Sequence, residues 1–148
     1  MKLPKSCLVT LLLGVLLLVL GSGALAFYQE HKTRQTVQML ERQVSDPAWR
    51  DQFEKDYKPE FEKLFQGDPD TYWQREKELE TLLQQRFPDA SRVSFRRRDT
   101  GYSARIFFGR AGIAYIAADP AHYRDFVSSH ETISATYPRF VVLWYPWD

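Results

Sequence analysis

Three groups of side chains in this 148-residue chain have residue types and spacings from which a site could be built. The first is centred on histidine. His122 and His130 fall in a segment read as a helix from Asp119 to about Thr132, with Asp125 near the first and Glu131 beside the second. Eight residues advance a helix by about 800°, so the two imidazoles share a side but stand two turns apart. Metal-binding pairs sit at i,i+3 or i,i+4, where both reach one ion, and no metal is expected here. Ser128-Ser129-His130-Glu131 has the types of a nucleophile and its base, yet neighbours on a helix point about 100° apart and form no dyad. The patterns G-x-S-x-G, H-E-x-x-H, G-x-G-x-x-G and the phosphate loop do not occur. Asp68 and Asp70 are accounted for by turn and capping chemistry, so neither a catalytic residue nor a cofactor is expected.

The second group is basic: Arg96-Arg97-Arg98, with Arg92 and Arg105 nearby. On a strand Arg96 and Arg98 share a face with Ser94, while Arg97 follows Val93 and Phe95 onto the other. Together with Arg105, these guanidinium forks suit phosphates of anionic headgroups or carboxylates on a partner protein. The competing reading is a solvated strand whose charges discourage edge-to-edge pairing. The third group is Trp144-Tyr145-Pro146-Trp147-Asp148. Trp144 is assigned to a core strand and Pro146 ends its pairing, which leaves Trp147 either as an interface anchor or as a ring folded over the sheet edge. The candidate partner-binding residues are therefore Arg96, Arg98, Arg105, Trp144 and Trp147.

The elements that must position these groups begin with a leader. Lys2 and Lys5 precede an unbroken apolar run from Cys7 to Leu20, followed by Gly21-Ser22-Gly23, Ala24-Leu25-Ala26 and Phe27-Tyr28. A helix of that polarity gains free energy by entering hydrocarbon, where its backbone groups satisfy one another. Two readings follow. As an anchor, Cys7 to Phe27 is about 20 residues, enough at 1.5 Å each to cross a core of roughly 30 Å. As a secretory signal it has a basic start, an apolar centre and the A-x-A ending at Ala26 that a signal peptidase accepts. Either way the lysines favour a cytoplasmic N-terminus and an exported remainder. His31 lies just beyond the segment.

Composition narrows the classes. Without Lys2 and Lys5 the 20 basic residues become 18, against 19 acidic. A near-neutral chain has no global field to steer it onto nucleic acid, and no nucleic-acid partner is expected. The single cysteine, Cys7, lies in the leader, so stability beyond it rests on packing without disulfides. All four tryptophans lie beyond the leader, where large rings let a small core bury much area.

Periodicity supplies the rest. Val37, Leu40 and Val44 form an apolar stripe on a helix that continues from the leader, and Ser45-Asp46-Pro47 both stops it and starts the next. Trp49, Phe53, Tyr57, Phe61 and Phe65 recur every four residues, and Pro59 predicts a kink or a division into two short helices. This stripe is more than one small sheet is expected to bury, which leaves it as a possible docking surface. A third helix reaches Arg86 with Tyr72, Leu79, Leu82, Leu83 and Phe87 on its apolar face. Residues 92–118 alternate with period two as a three-stranded meander, and Phe140 to Tyr145 is apolar enough to be a strand covered on both faces.

The fold class expected is α+β: a membrane helix or signal segment over 1–27, a helical stalk and kinked aromatic helix over 28–66, and a compact domain over 67–148, with 28–148 one folding unit. Its helices pack on a small, mainly antiparallel sheet of about four strands. The expected function is a single-pass, membrane-anchored extracytoplasmic interaction module, a subunit or accessory factor of a cell-envelope complex, with protein partners at the membrane. It meets the membrane through residues 7–27, in an inner or plasma membrane. The alternatives are an exported soluble periplasmic inhibitor or immunity-type protein cleaved at Ala26, and an extracytoplasmic hydrolase.

Overall fold

Gly21, Ser22 and Gly23 do not interrupt the N-terminal helix, and the Ser22 hydroxyl donates to the Val19 carbonyl at 3.0 Å. Helix α1 runs Lys5–Ser45 in the computed structural model, which describes residues 5–146. The chain divides into two compact units, Met1–Arg34 and Gln35–Asp148. The first unit holds the apolar segment, and Leu12, Leu16, Leu18, Leu20 and Phe27 are each more than half exposed on it. An 18-residue window there has mean hydropathy 1.9 and none of it is buried inside the protein. It is a helix of the kind that serves as a membrane span or a signal sequence.

The second unit begins with the C-terminal turns of α1, which bury Leu40 and Val44. Arg50 ends that helix by donating to the carbonyls of Val44 at 2.5 Å and Ser45 at 3.0 Å, two of the acceptors a helix end leaves unpaired. Helix α2 runs Pro47–Gln66, and Asp46 caps it by accepting from the Ala48 amide at 2.9 Å. Of the kink or division expected at Pro59, the division does not occur: the helix runs through it unbroken. Pro59 and Lys55, the residue whose carbonyl loses its partner, both lie on the exposed side, where water replaces the bond, while Phe53 and Phe61 are held in the core. A short 3-10 helix, Pro69–Thr71, leads into α3, Tyr72–Arg86. Arg75 of α3 reaches across to the Lys63 carbonyl at 2.9 Å and caps the end of α2. Leu79, Leu83 and Phe87 are buried as expected, but Leu82 is exposed.

Five strands follow: β1 Arg92–Arg98, β2 Gly101–Phe108, β3 Ala111–Ala118, β4 Thr132–Tyr137 and β5 Phe140–Trp144. They form one antiparallel sheet in the order β1-β2-β3-β5-β4. The α+β class holds, with one strand more than expected. The segment read as a helix to Thr132 is a 3-10 helix, Pro120–Phe126, and then a loop; Thr132-Ile-Ser-Ala-Thr-Tyr137 has the two-residue alternation of a strand, and its burial alternates accordingly. Strand β5 is central, with Phe140, Val141, Val142 and Leu143 fully buried between two layers.

Register divides the side chains between the faces. The inner face carries Val93, Phe95, Tyr102, Ile106, Tyr115 and Phe140 and meets α2 and α3. The aromatic stripe is spent here: Phe61 stacks on Tyr115 at 5.1 Å, Phe65 on Tyr102 at 4.4 Å, and Phe53 meets Phe140 at 5.3 Å. Phe53, Phe61 and Phe65 are buried in the core, while Trp49 and Tyr57 of the same stripe are half-buried against it. The outer face carries Ala114, Ile116, Val141 and Leu143 under Tyr123 and Phe126 of the 3-10 helix, a second and smaller cluster.

Candidate functional site

Strand β1 holds the arginine run at one edge of the sheet, paired only with β2. Pairing sets Ser94 opposite Arg105 and Arg96 opposite Ser103, so Ser94, Arg96, Arg98 and Arg105 occupy the outer face, as alternation requires. Their environments differ. Arg92, Arg97 and Arg98 are exposed and Arg96 is half-buried, whereas Arg105 is only 2% exposed. Arg105 is therefore an internal group and not part of the surface formed by Arg96 and Arg98.

The reason lies in the loop after the 3-10 helix. Glu131, also buried, forms an ion pair with Arg105. The Tyr145 hydroxyl donates to Glu131 Oε1 at 2.7 Å and the Ser128 amide donates to Oε2 at 2.6 Å, so the carboxylate is held from three sides. Phe107 provides the floor, with the Arg105 guanidinium 5.0 Å and the Arg92 guanidinium 4.5 Å from its ring centroid. Burial draws the Arg105 guanidinium down to about 10, repulsion from Arg96 and Arg92 acts in the same direction, and Tyr145 opposes it. Arg105 stays charged at neutral pH, and its Nε is buried without a hydrogen-bond partner.

Trp144 is half-buried at the end of β5, opposite Ala111 on one side and Thr132 on the other, and it packs against the inner core. Trp147 lies outside the described residues. His122 and His130 are not on a common helix: His122 is in the 3-10 helix, with Nδ1 3.1 Å from Asp125 Oδ2, and His130 is exposed in the following turn. Glu131, adjacent to His130, is committed to Arg105. Among the described residues no group of three His, Cys, Asp or Glu side chains could hold a metal ion.

Sequence reasoning missed two features. Glu131 and Tyr145 close the Arg105 network from 26 and 40 residues away, and a reading of 119–132 as a helix gives no sign of it. Trp73 on α3 is 78% exposed. Its neighbour Tyr72 lies near β1: burial and Glu76 push that phenol up to about 12, and Arg97 pulls it down. Two clefts also open on this unit. One of about 310 Å³ lies between α2 and α3 and is lined by Glu60, Lys63, Arg75 and Glu78. The other, about 290 Å³, is lined by Lys58, Glu62, Tyr102 and Arg139. Both have charges of either sign on their walls, suited to small ionic groups.

Comparison of the chain with protein-family models, curated proteins and solved structures gives no match. The arginines of β1 lie on an edge strand paired only with β2, beside the buried Arg105–Glu131 ion pair.

Proposed function

We propose that the protein is a membrane-anchored extracytoplasmic interaction module that serves a cell-envelope complex as a subunit or accessory factor. The observation that carries the proposal is the first unit's helix, whose leucines are exposed all along a stretch long enough to cross hydrocarbon, in covalent continuity with a folded unit bearing exposed arginines on one sheet edge. Lys2 and Lys5 ahead of the segment, with no acid before Glu30, favour a cytoplasmic N-terminus and an exported folded unit. Arg96 and Arg98 supply the partner-recognising charge.

Ala24-Leu25-Ala26 favours a second reading, in which the leader is removed and the same unit acts as a soluble exported binding protein. Intact mass of the protein in membrane and soluble fractions of its host separates the two. Full-length mass in the membrane fraction, with a co-purifying partner, is the expected result. A soluble species beginning at Phe27 would replace the anchored reading with the exported one.

A further inference from the structure

We propose that the free edge of β1 takes up an extended acidic segment of a partner protein as a sixth strand, its carboxylates alternating so as to meet Arg96 and Arg98 on the outer face. The proposal deepens the interaction-module reading and rests on it.

The backbone argument comes first. Arg98 and Gly101 flank the two-residue turn Asp99-Thr100, so they exchange hydrogen bonds, and with an antiparallel period of two so do Arg96 with Ser103 and Ser94 with Arg105. The N–H and C=O groups of Val93, Phe95 and Arg97 consequently point away from β2. None of the described backbone groups outside the ladder pairs with them. The seven residue pairs of β1 with β2 run without a register shift, which leaves a regular template for strand addition.

The opposite edge is built differently. Strand β4 carries a register shift between Ile133 and Ala135. Its Ser134 hydroxyl donates to Glu41 Oε1 at 2.5 Å and its Tyr137 hydroxyl to the Glu41 carbonyl at 3.3 Å, which ties it to α1. A bulge and a covering helix are the usual means of closing an edge; β1 pairs with β2 without a register shift, and α3 packs beside it on the inner face while no further strand joins its other side. What guards β1 is charge.

Charge also selects the occupant. No described carboxylate forms an ion pair with Arg92, Arg96, Arg97 or Arg98. A second copy of β1 would set arginine against arginine across the new ladder, which is unfavourable, so the edge rejects its own kind. A strand with acidic residues at alternate positions brings carboxylates to Arg96 and Arg98 and relieves the repulsion that Arg96 exerts on Arg105. An anionic lipid surface offers the charge but no backbone groups, and would leave Val93, Phe95 and Arg97 unpaired.

The test uses the full-length protein in neutral detergent and a capped octapeptide of alternating Glu and Val, with alternating Lys and Val as control. Saturation with the acidic peptide is expected to slow amide exchange at Val93, Phe95 and Arg97 by about tenfold or more, without slowing β4. Arg96→Ala/Arg98→Ala should weaken binding by about five- to tenfold. Arg97→Pro removes an outward amide but no bond to β2, and should abolish the slowed exchange while the circular dichroism spectrum is kept. Peptide binding without slowed exchange at those three amides would overturn strand addition, as would equal binding of the basic peptide. So would slowing caused by nanodiscs containing phosphatidylglycerol and not by the peptide, which would assign the patch to lipid. If a partner co-purifies equally with the wild type and Arg97→Pro, strand addition fails while the interaction-module reading stands.

Discussion

The two faces of the sheet exclude water by different chemistry. On the inner face, α2 lays Phe53, Phe61 and Phe65 onto Tyr115, Tyr102 and Phe140, a layer of rings with ample apolar area. On the outer face the cover is a seven-residue 3-10 helix and a loop, whose Tyr123 and Phe126 pack on the β3–β5 part of the sheet while the helix also comes close to β1. Toward β2 the cover is completed by an ion pair, Arg105 with Glu131, and beyond that β1 is the edge strand. Rings tolerate small errors of placement, whereas a buried charge pair stabilises only if every bond is made. The inner face is thus the stable platform, and the outer face is where the fold offers specificity and an accessible edge.

Breaking the inner face should have the largest effect. Phe61 is fully buried and touches five other rings, so Phe61→Ala is expected to lower unfolding free energy by about 4 kcal/mol in chemical denaturation. A loss under about 1 kcal/mol would mean that the rings do not form the main core.

The outer face should fail through charge. Glu131→Gln keeps the shape and leaves Arg105 buried without its counter-charge, a cost of about 3 kcal/mol. The double change Arg105→Met/Glu131→Gln should recover more than half of that loss, because no charge then remains to be solvated. If the double variant is as unstable as the single one, the loop is held by the glutamate's other bonds and not by the pair.

Alkali sharpens the comparison further. Tyr72 is raised to about 12 chiefly by burial, and Tyr102 is raised further, also chiefly by burial. Between pH 10 and about 12 the folded chain keeps phenolic protons that the unfolded chain has lost, so stability present below pH 10 falls as pH rises through that window. Thermal unfolding followed against pH, with phenolate absorbance as a second probe, should show late and cooperative tyrosine ionisation. Ionisation at the ordinary pH of about 10 without unfolding would show these rings to be solvated.

The smallest effect on stability is expected at the open edge. Arg96→Ala/Arg98→Ala removes groups that form no described ion pair, and should shift unfolding free energy by less than about 0.5 kcal/mol. A larger loss would make the arginines structural and not a surface kept for a partner.

How much of this could be read beforehand varied with the range of the interactions. The ring spacing from Trp49 to Phe65, the cap at Asp46 and the meander turn at Gly101 were legible because each depends on neighbours within a few residues. At Gly101, φ is 146° and a side chain would meet the Ala117 carbonyl, so glycine there marks a close strand approach as well as a turn. Strand β4 was hidden by a proline-led start at Asp119 that looks like any helix N-terminus. The run through Pro59 reads as broken because sequence does not say that the freed carbonyl faces water.

The amino-acid sequence alone determined the apolar N-terminal helix, the aromatic face of α2 and the alternation of β1 to β3, all consequences of local polarity repeated at the period of a helix or strand. Only the tertiary structure decided that Arg105 is internal while Arg96 and Arg98 remain on the surface. The three share a face, and what separates them is Glu131, brought over β2 by a loop that folds back. It also decided which strands are edges, because β5 enters between β3 and β4 and makes β4 one edge, while no strand pairs with β1 beyond β2 and makes it the other. Strand order and long-range charge pairing depend on contacts between residues far apart in the chain, and no local pattern encodes them.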